Sequence, residues 1–305
     1  MKIFITGGTG FVGQHLTRYF LSLGHEVTCT GRSSAMGVDH ENFHYISADT
    51  TQKGVWQEAL NKTDVVVNLA GATISKRWNR SYKKLIYDSR ILTVRNVVDG
   101  LPENDNLLLI SSSATGYYGQ RRDDVLMENE SSGEDFLAML CRDWEMEAFR
   151  AEQKGVRVAT TRFGVVLGKN GGALATMIPL FQWFLGGPLG SGKHWFPWIH
   201  IDDLVSAIAL IIDNKKINAA LNFTSPIPTR QRDFARALGR ELKRPAFLPA
   251  PSFMIRLIMG ELGTSLLYSQ KVIPDKLIAH GFKFKFMEIE TALADILQNR
   301  SIELQ

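Results

Sequence analysis

Three glycines spaced three apart, Gly7, Gly10 and Gly13, separate a short apolar strand from a helical pattern in which Val12, Leu16, Phe20 and Leu23 recur. Between a strand and a helix, that spacing suits a turn that holds a pyrophosphate, the alternative being a structural turn of a non-binding α/β domain. Gly7 permits the tight turn after the strand, Gly10 lets backbone approach the phosphates, and Gly13 lets the helix pack close to the sheet. The phosphates then meet the unpaired N–H groups and positive dipole end of the helix. Gly7, Thr9, Gly10, Phe11, Val12 and Gly13 are therefore candidate contacts to a dinucleotide.

The next strand, His25 to Thr30, runs into Gly31-Arg32-Ser33-Ser34, where an NAD site would place a carboxylate against the ribose diol. No Asp or Glu stands there. Arg32 offers a fork for a 2′-phosphate and Ser33 or Ser34 a hydroxyl, so the expectation is NADPH/NADP+ in preference to NAD. Asp49, after His44-Tyr45-Ile46, is a candidate for the adenine amino group or a cap of the following helix. The apolar run Asp64 to Leu69 ends in Ala70-Gly71-Ala72, and Leu107 to Ile110 leads into Ser111-Ser112-Ser113, read as a serine-rich turn. Leu69, Ala70, Gly71 and Ser111 join the candidate cofactor contacts, because ligands of parallel sheets bind beyond the strand C-termini.

Continuous apolar strands alternate with helices expected over about 79–98 and 136–153, which indicates an α/β chain: a Rossmann-type, doubly wound parallel sheet covered on both faces. A dinucleotide-binding domain is expected over 1–165, completed by about 195–225. Residues 166–194 and 226–305 form the substrate-side region and a small, mostly helical C-terminal domain. The chain has 305 residues, 45% of them hydrophobic, enough for one large core and a smaller one. It lacks 18 consecutive apolar residues and a cleavable leader pattern, so a cytoplasmic protein without membrane contact is expected. Two cysteines and scattered histidines give neither a disulfide framework nor metal-ligand spacing. The formal charge of +4 is dispersed, which speaks against nucleic acid and leaves a small anionic substrate as partner.

Taken together, these motifs resemble the extended short-chain dehydrogenase/reductase superfamily of NAD(P)-dependent epimerases and dehydratases, nearest to its YfcH-like epimerase-family branch. The resemblance runs from Thr6 to Gly13 through Asn68 to Ala72, Asp88-Ser89-Arg90, Ser111 to Gly119, Gly171 to Leu174, Trp198 to Leu204 and Asn222 to Pro226, and on to Gly281-Phe282. It implies an oxidoreductase or epimerase acting on a nucleotide sugar or similar hydroxylated anion, with Ser113 on the substrate side. It also implies a Tyr-x-x-x-Lys pair, which is missing. Cys141 and Glu145 occupy those places, with Glu145 expected to accept from the ribose hydroxyls. Tyr118, Tyr117, Cys141 and His200 are the candidates for the tyrosine's role. The alternative reading is an NADPH-binding protein with little or no turnover. The helices that pair superfamily dimers match 79–98 and 136–153, and monomer and homodimer remain equal expectations.

In the second half, Gly187-Pro188-Leu189-Gly190-Ser191-Gly192-Lys193-His194 approaches a nucleotide-phosphate loop but lacks its final Ser or Thr and its helix, which excludes an ATPase. Lys193 remains a candidate substrate-phosphate contact and His200 a candidate substrate contact at a strand end. Asp202 is expected to cap the following helix, and a further helix is expected over about 252–262.

Overall fold

The computed structural model describes residues 1–33 and 36–298; Ser34 lies outside the described residues. In chain order the strands are β1 (Lys2–Thr6), β2 (Glu26–Gly31), β3 (Phe43–Ser47), β4 (Val65–Asn68), β5 (Leu108–Ala114), β6 (Val125–Leu126), β7 (Arg157–Phe163), β8 (Val165–Leu167), β9 (Trp195–Phe196), β10 (Trp198–His200), β11 (Ala220–Phe223), β12 (Thr229–Arg230) and β13 (Lys271–Val272). The helices are α1 (Phe11–Ser22), α2 (Arg80–Gly100), α3 (Phe136–Phe149), α4 (Gly172–Gln182), α5 (Ile201–Asp213), α6 (Gln231–Glu241), α7 (Ser252–Met259), α8 (Glu261–Leu266), α9 (Asp275–Ala279) and α10 (Ile289–Gln298).

Seven strands form one sheet in the order β11-β7-β5-β4-β1-β2-β3, and every neighbouring pair is parallel. The order reverses at β1 and β4, where a doubly wound sheet opens a crevice beyond its C-terminal edge. Apolar side chains on both faces explain the two-sided cover. Ile3, Ile5 and Val27 pack with α1 and α5 through Leu16, Phe20, Leu204 and Ile208. Phe4, Val66 and Leu109 pack with α2 and α3 through Val94, Val97, Leu140 and Trp144. A third cluster joins α4, α6 and α10 through Leu174, Phe234, Leu238 and Leu293. The chain is thus a parallel Rossmann-type sheet with a distinct, mostly helical C-terminal region.

Local chemistry sets the helix ends. Asn79 Oδ1 accepts from the N–H of Tyr82, and Asp135 Oδ1 from those of Leu137 and Ala138, so α2 and α3 begin where a side-chain acceptor meets the free N–H groups. The expectation for α5 needs correction: its cap is His200, whose Nδ1 accepts from the N–H of Asp202, while Asp202 and Asp203 occupy the first turn. The helix expected over 252–262 is broken in two by Gly260, whose φ of +63° no helix accommodates.

Candidate functional site

The crevice is bounded by the turn after β1. Gly7 has φ +70°, a left-handed conformation natural to glycine, and a Cβ there would stand 3.0 Å from the backbone of Ala70. A Cβ on Gly13 would stand 2.4 Å from the carbonyl oxygen of Gly7. The turn, the start of α1 and the loop after β4 therefore fit only without side chains at these points. Gly10 opens α1 with no side-chain cap, and no acidic residue stands in its first turn. Such a helix end offers backbone N–H donors and a positive dipole to an anion. Thr9 accepts from Gln14 Nε2 through its carbonyl, and the Phe11 ring lies against Gly168, Gly171 and Gly172. These residues fit a dinucleotide pyrophosphate.

Two polar rows cross the strands at the crevice edge. The first, set by register, runs Thr30, Thr6, Asn68, Ser111, Thr160. Thr6 Oγ1 donates to Asn68 Oδ1 at 2.7 Å, and Asn68 Nδ2 donates to Ser111 Oγ at 3.1 Å. Thr6 Oγ1 also accepts from the N–H of Leu69 and Ala70, which fixes the loop that carries Gly71. Ser111 is accordingly a buried member of this row, and the structure gives it a neighbouring asparagine as partner.

The second row pairs Ser113 with Arg162 and Arg162 with Asn222. Ser113 Oγ donates to Glu145 Oε1 at 2.6 Å, and Arg162 grips the same carboxylate with Nε and Nη2, both at 2.8 Å. Arg162 Nη1 donates to Tyr118 Oη at 2.9 Å and to the carbonyl of Glu128 at 3.1 Å, with its guanidinium 3.5 Å over the Tyr117 ring. Tyr118 Oη donates to Asn222 Oδ1 at 2.7 Å. The backbone N–H groups of Asn222 and Lys276 both donate to Glu128 Oε1, which brings the C-terminal region into the same network. Burial disfavours a charged Arg162, but the bonds and charge of Glu145 outweigh it and hold the guanidinium above its ordinary value. Burial also pushes the Glu128 carboxyl up, and its Oε2 has no partner among the described residues.

Several sequence expectations change. Ser111 to Ser113 continue strand β5; the turn starts only at Thr115. Glu145 does not stand open for ribose hydroxyls, since both its oxygens are engaged by Arg162 and Ser113. Tyr118 is fully buried and tied to Asn222 and Arg162, and burial pushes its phenol up to about 12. Cys141 lies beneath β5, its thiol likewise pushed up to about 12, first by burial and then by the Glu145 charge. Neither group holds a mobile proton near neutral pH. His200 is 2% exposed, its ring centroid 3.9 Å from that of Phe286 with the planes tilted by 35°, and its pKa is lowered by burial. That side chain packs between α5 and the C-terminal region, outside the crevice edge. Asp202 pairs with Lys285 at 3.2 Å. Lys193 is exposed, its carbonyl bonded to Arg230 at the start of α6.

At the outer strand ends, Arg32 is exposed, Ser33 Oγ lies 3.0 Å from Tyr45 Oη, and Asp49 Oδ1 accepts from the N–H and hydroxyl of Thr51. Asp49 thus caps a turn. Arg162, Glu128 and Asn222 stand outside the sequence-derived site candidates; the signal available for them is a lone charge, Arg162, inside the otherwise uncharged strand sequence Val158 to Phe163, which demands a buried acceptor. Among the described residues no helix is long and apolar enough to cross a membrane.

Comparison with known proteins bears on this geometry. A chloroplastic epimerase family protein SDR39U1 homolog of Arabidopsis thaliana is 41% identical, covering 98% of this chain and 87% of the relative. The Staphylococcus haemolyticus epimerase family protein SH2119 is 40% identical, covering 97% and 99%. The human epimerase family protein SDR39U1, solved with NADPH, superposes with a TM-score of 0.86 at 31% identity, covering 98% and 100%. Five further similar structures, at 16–18% identity, were solved with NAD, among them a Thermus thermophilus UDP-glucose 4-epimerase with a TM-score of 0.79. This corrects the ranking of NADP(H) above NAD drawn from Arg32: most of these structures hold NAD, and an exposed arginine at the end of β2 does not disfavour it. Residues 250–296 match a domain of unknown function, DUF1731. Residues 3–222, which carry the glycine turn, the whole parallel sheet up to Asn222 and both polar rows, match the NAD dependent epimerase/dehydratase family, and the chain belongs to that family.

Proposed function

We propose that this chain binds NAD or NADP across the glycine turn and oxidises or epimerises a carbinol carbon of a nucleotide sugar or similar hydroxylated anion. The observation that carries the reading is the start of α1, without a side-chain cap or an acidic first-turn residue and packed so closely that Gly13 admits no side chain. Bound there, the nicotinamide supplies a reversible hydride acceptor. The residues of the chain do the rest. The phosphates rest on the α1 N-terminus, and Ala70 and Gly71 line the other side of the turn.

Ser113 has a fixed polarity in this scheme. Its proton points to Glu145, whose two oxygens Arg162 grips, so the serine oxygen is left to accept from a ligand. It therefore selects an alcohol O–H over a ketone oxygen. As the carbinol C–H bond breaks, the O–H proton passes to Ser113 while the serine proton moves to Glu145, and a C=O bond forms. An epimerase returns hydride to the other face.

A second reading is dinucleotide binding with little turnover, favoured by one observation: Tyr118 and Cys141, the nearest alternatives to the missing tyrosine, both have pKa values pushed up to about 12. One experiment separates the readings. Purified protein is titrated with NADH and NADPH by fluorescence, then incubated with NAD+ or NADP+ and a panel of nucleotide sugars while absorbance at 340 nm and the sugar stereochemistry are followed. Reduced cofactor or an inverted centre supports the enzyme; binding without either supports the second reading; absence of binding refutes both.

A further inference from the structure

Two arginines lie near the C-terminal ends of the central strands, and they differ in their partners. Arg162 has a bidentate carboxylate, a phenol and a carbonyl. Arg90, on α2, makes one hydrogen bond among the described residues, from Nη1 to the carbonyl of Ile86 in its own helix at 3.1 Å. Burial lowers its pKa, and the groups nearest its charge are the Cys141 thiol and the Tyr82 phenol. Among the described residues no carboxylate pairs with it.

Its placement is well defined. A Cβ built on Gly71 would stand 3.0 Å from the Arg90 Cζ, so the guanidinium lies against the loop after β4. That loop touches the glycine turn through Ala70, and the N–H of Ala72 donates to Ser89 Oγ at 3.0 Å, which couples the loop to the turn of α2 bearing Arg90. Beneath, the guanidinium lies 5.3 Å from the Trp144 ring, whose buried indole N–H has no acceptor among the described residues. Aromatic contact on one side orients the fork. A partly buried cation at a crevice edge, without a counter-charge and with donors free among the described residues, is suited to a planar or tetrahedral oxyanion.

We propose that Arg90 is an oxyanion receptor of the crevice, binding through its guanidinium fork either the pyrophosphate of the bound dinucleotide or the carboxylate or phosphate of the substrate. This rests on the dinucleotide reading, and it gives a chain without the Tyr-x-x-x-Lys pair a cation at its crevice.

The full chain is compared with Arg90→Gln and Arg90→Lys in two arms, both read by tryptophan fluorescence and calorimetry. In the first, NADH and ADP-ribose are titrated. In the second, inorganic phosphate and malonate are titrated into protein saturated with NADH. At least a tenfold weakening in Arg90→Gln, with Arg90→Lys between it and the parent, is expected in one arm. Loss of NADH and ADP-ribose alike assigns the pyrophosphate; loss confined to the second arm assigns the substrate anion. Affinities within twofold of the parent in both arms, for an Arg90→Gln protein of parental melting temperature, overturn the proposal. If Arg90→Gln does not fold, unchanged affinities in Arg90→Lys overturn it equally, because the ammonium cannot form the fork. Parent protein that binds no dinucleotide refutes the underlying reading instead, and phosphate and malonate titrated into the free chain and its variants then decide the role of Arg90.

Discussion

Replacing Glu145 by Gln tests the central polar network. In the folded chain the Glu145 and Arg162 side chains are 7% and 4% exposed, and two bonds of 2.8 Å join them. The amide keeps one acceptor but turns an NH2 toward an Arg162 donor and removes the carboxylate that grips that guanidinium. Breaking one side of a buried, hydrogen-bonded pair costs about 3–5 kcal/mol, because the surviving charge stays buried without compensation. For a chain of this size that lowers the melting temperature by roughly 10 °C. Urea unfolding followed by circular dichroism measures the free energy, with the slope against urea unchanged if only stability has altered. Adding Arg162→Met to Glu145→Leu should recover much of the loss, and the double-mutant cycle gives the coupling directly. A loss below about 1 kcal/mol for Glu145→Gln, the size expected of an exposed pair, would refute the reasoning.

Other outcomes follow from the same structure. The His194 imidazole, held neutral by burial and then by the nearby Arg230 charge, has its pKa lowered to about 4. The unfolded chain therefore takes up a proton near pH 6.5 that the folded chain refuses until about pH 4, so stability falls as pH drops through this window. About 1–2 kcal/mol should be lost between pH 6.5 and 5, the partial exposure of the ring reducing the full value, and urea midpoints of His194→Gln should lack that share. Cys29 and Cys141, with thiols pushed up to about 11 and about 12 by burial, should stay unalkylated by iodoacetamide at pH 8 in the native protein and react after unfolding; rapid native labelling of Cys141 would show an accessible thiolate. Gly13→Ala should weaken NADH binding at least tenfold in a fluorescence titration, since its Cβ would stand 2.4 Å from the Gly7 carbonyl oxygen and 2.8 Å from Gly8 Cα; unaltered affinity would separate this turn from the cofactor.

What local pattern encodes was legible in the sequence. The glycine turn, the apolar strands β1, β4 and β5, and the starts of α2 and α3 depend on neighbours within a few residues. The polar network does not. Tyr118 meets Asn222 across 104 positions and Glu145 meets Arg162 across 17, so their partnership follows from strand register and helix placement, which no short window contains. Ser111 to Ser113 look like a turn because serine has weak strand preference, yet pairing with Thr160, Thr161 and Arg162 keeps them extended. His200 rather than Asp202 caps α5 because the pairing of β10 with β8 fixes where the strand ends. The cofactor ranking drawn from Arg32 failed for a related reason: an exposed arginine shows what it can bind, not what it turns away.

The acceptors Glu128 and Asp203 receive backbone N–H groups from near the end of the chain. Lys276 donates to the former across 148 positions, and Lys285 and Phe286 donate to the latter across 82 and 83. A chain growing from its N-terminus thus makes two carboxylates long before it makes their distant donors. Closing such long loops is entropically expensive and slow. The C-terminal helices therefore act as a late latch: a nascent sheet can collapse early, but its edge at β11 stays incompletely satisfied until the last segment docks.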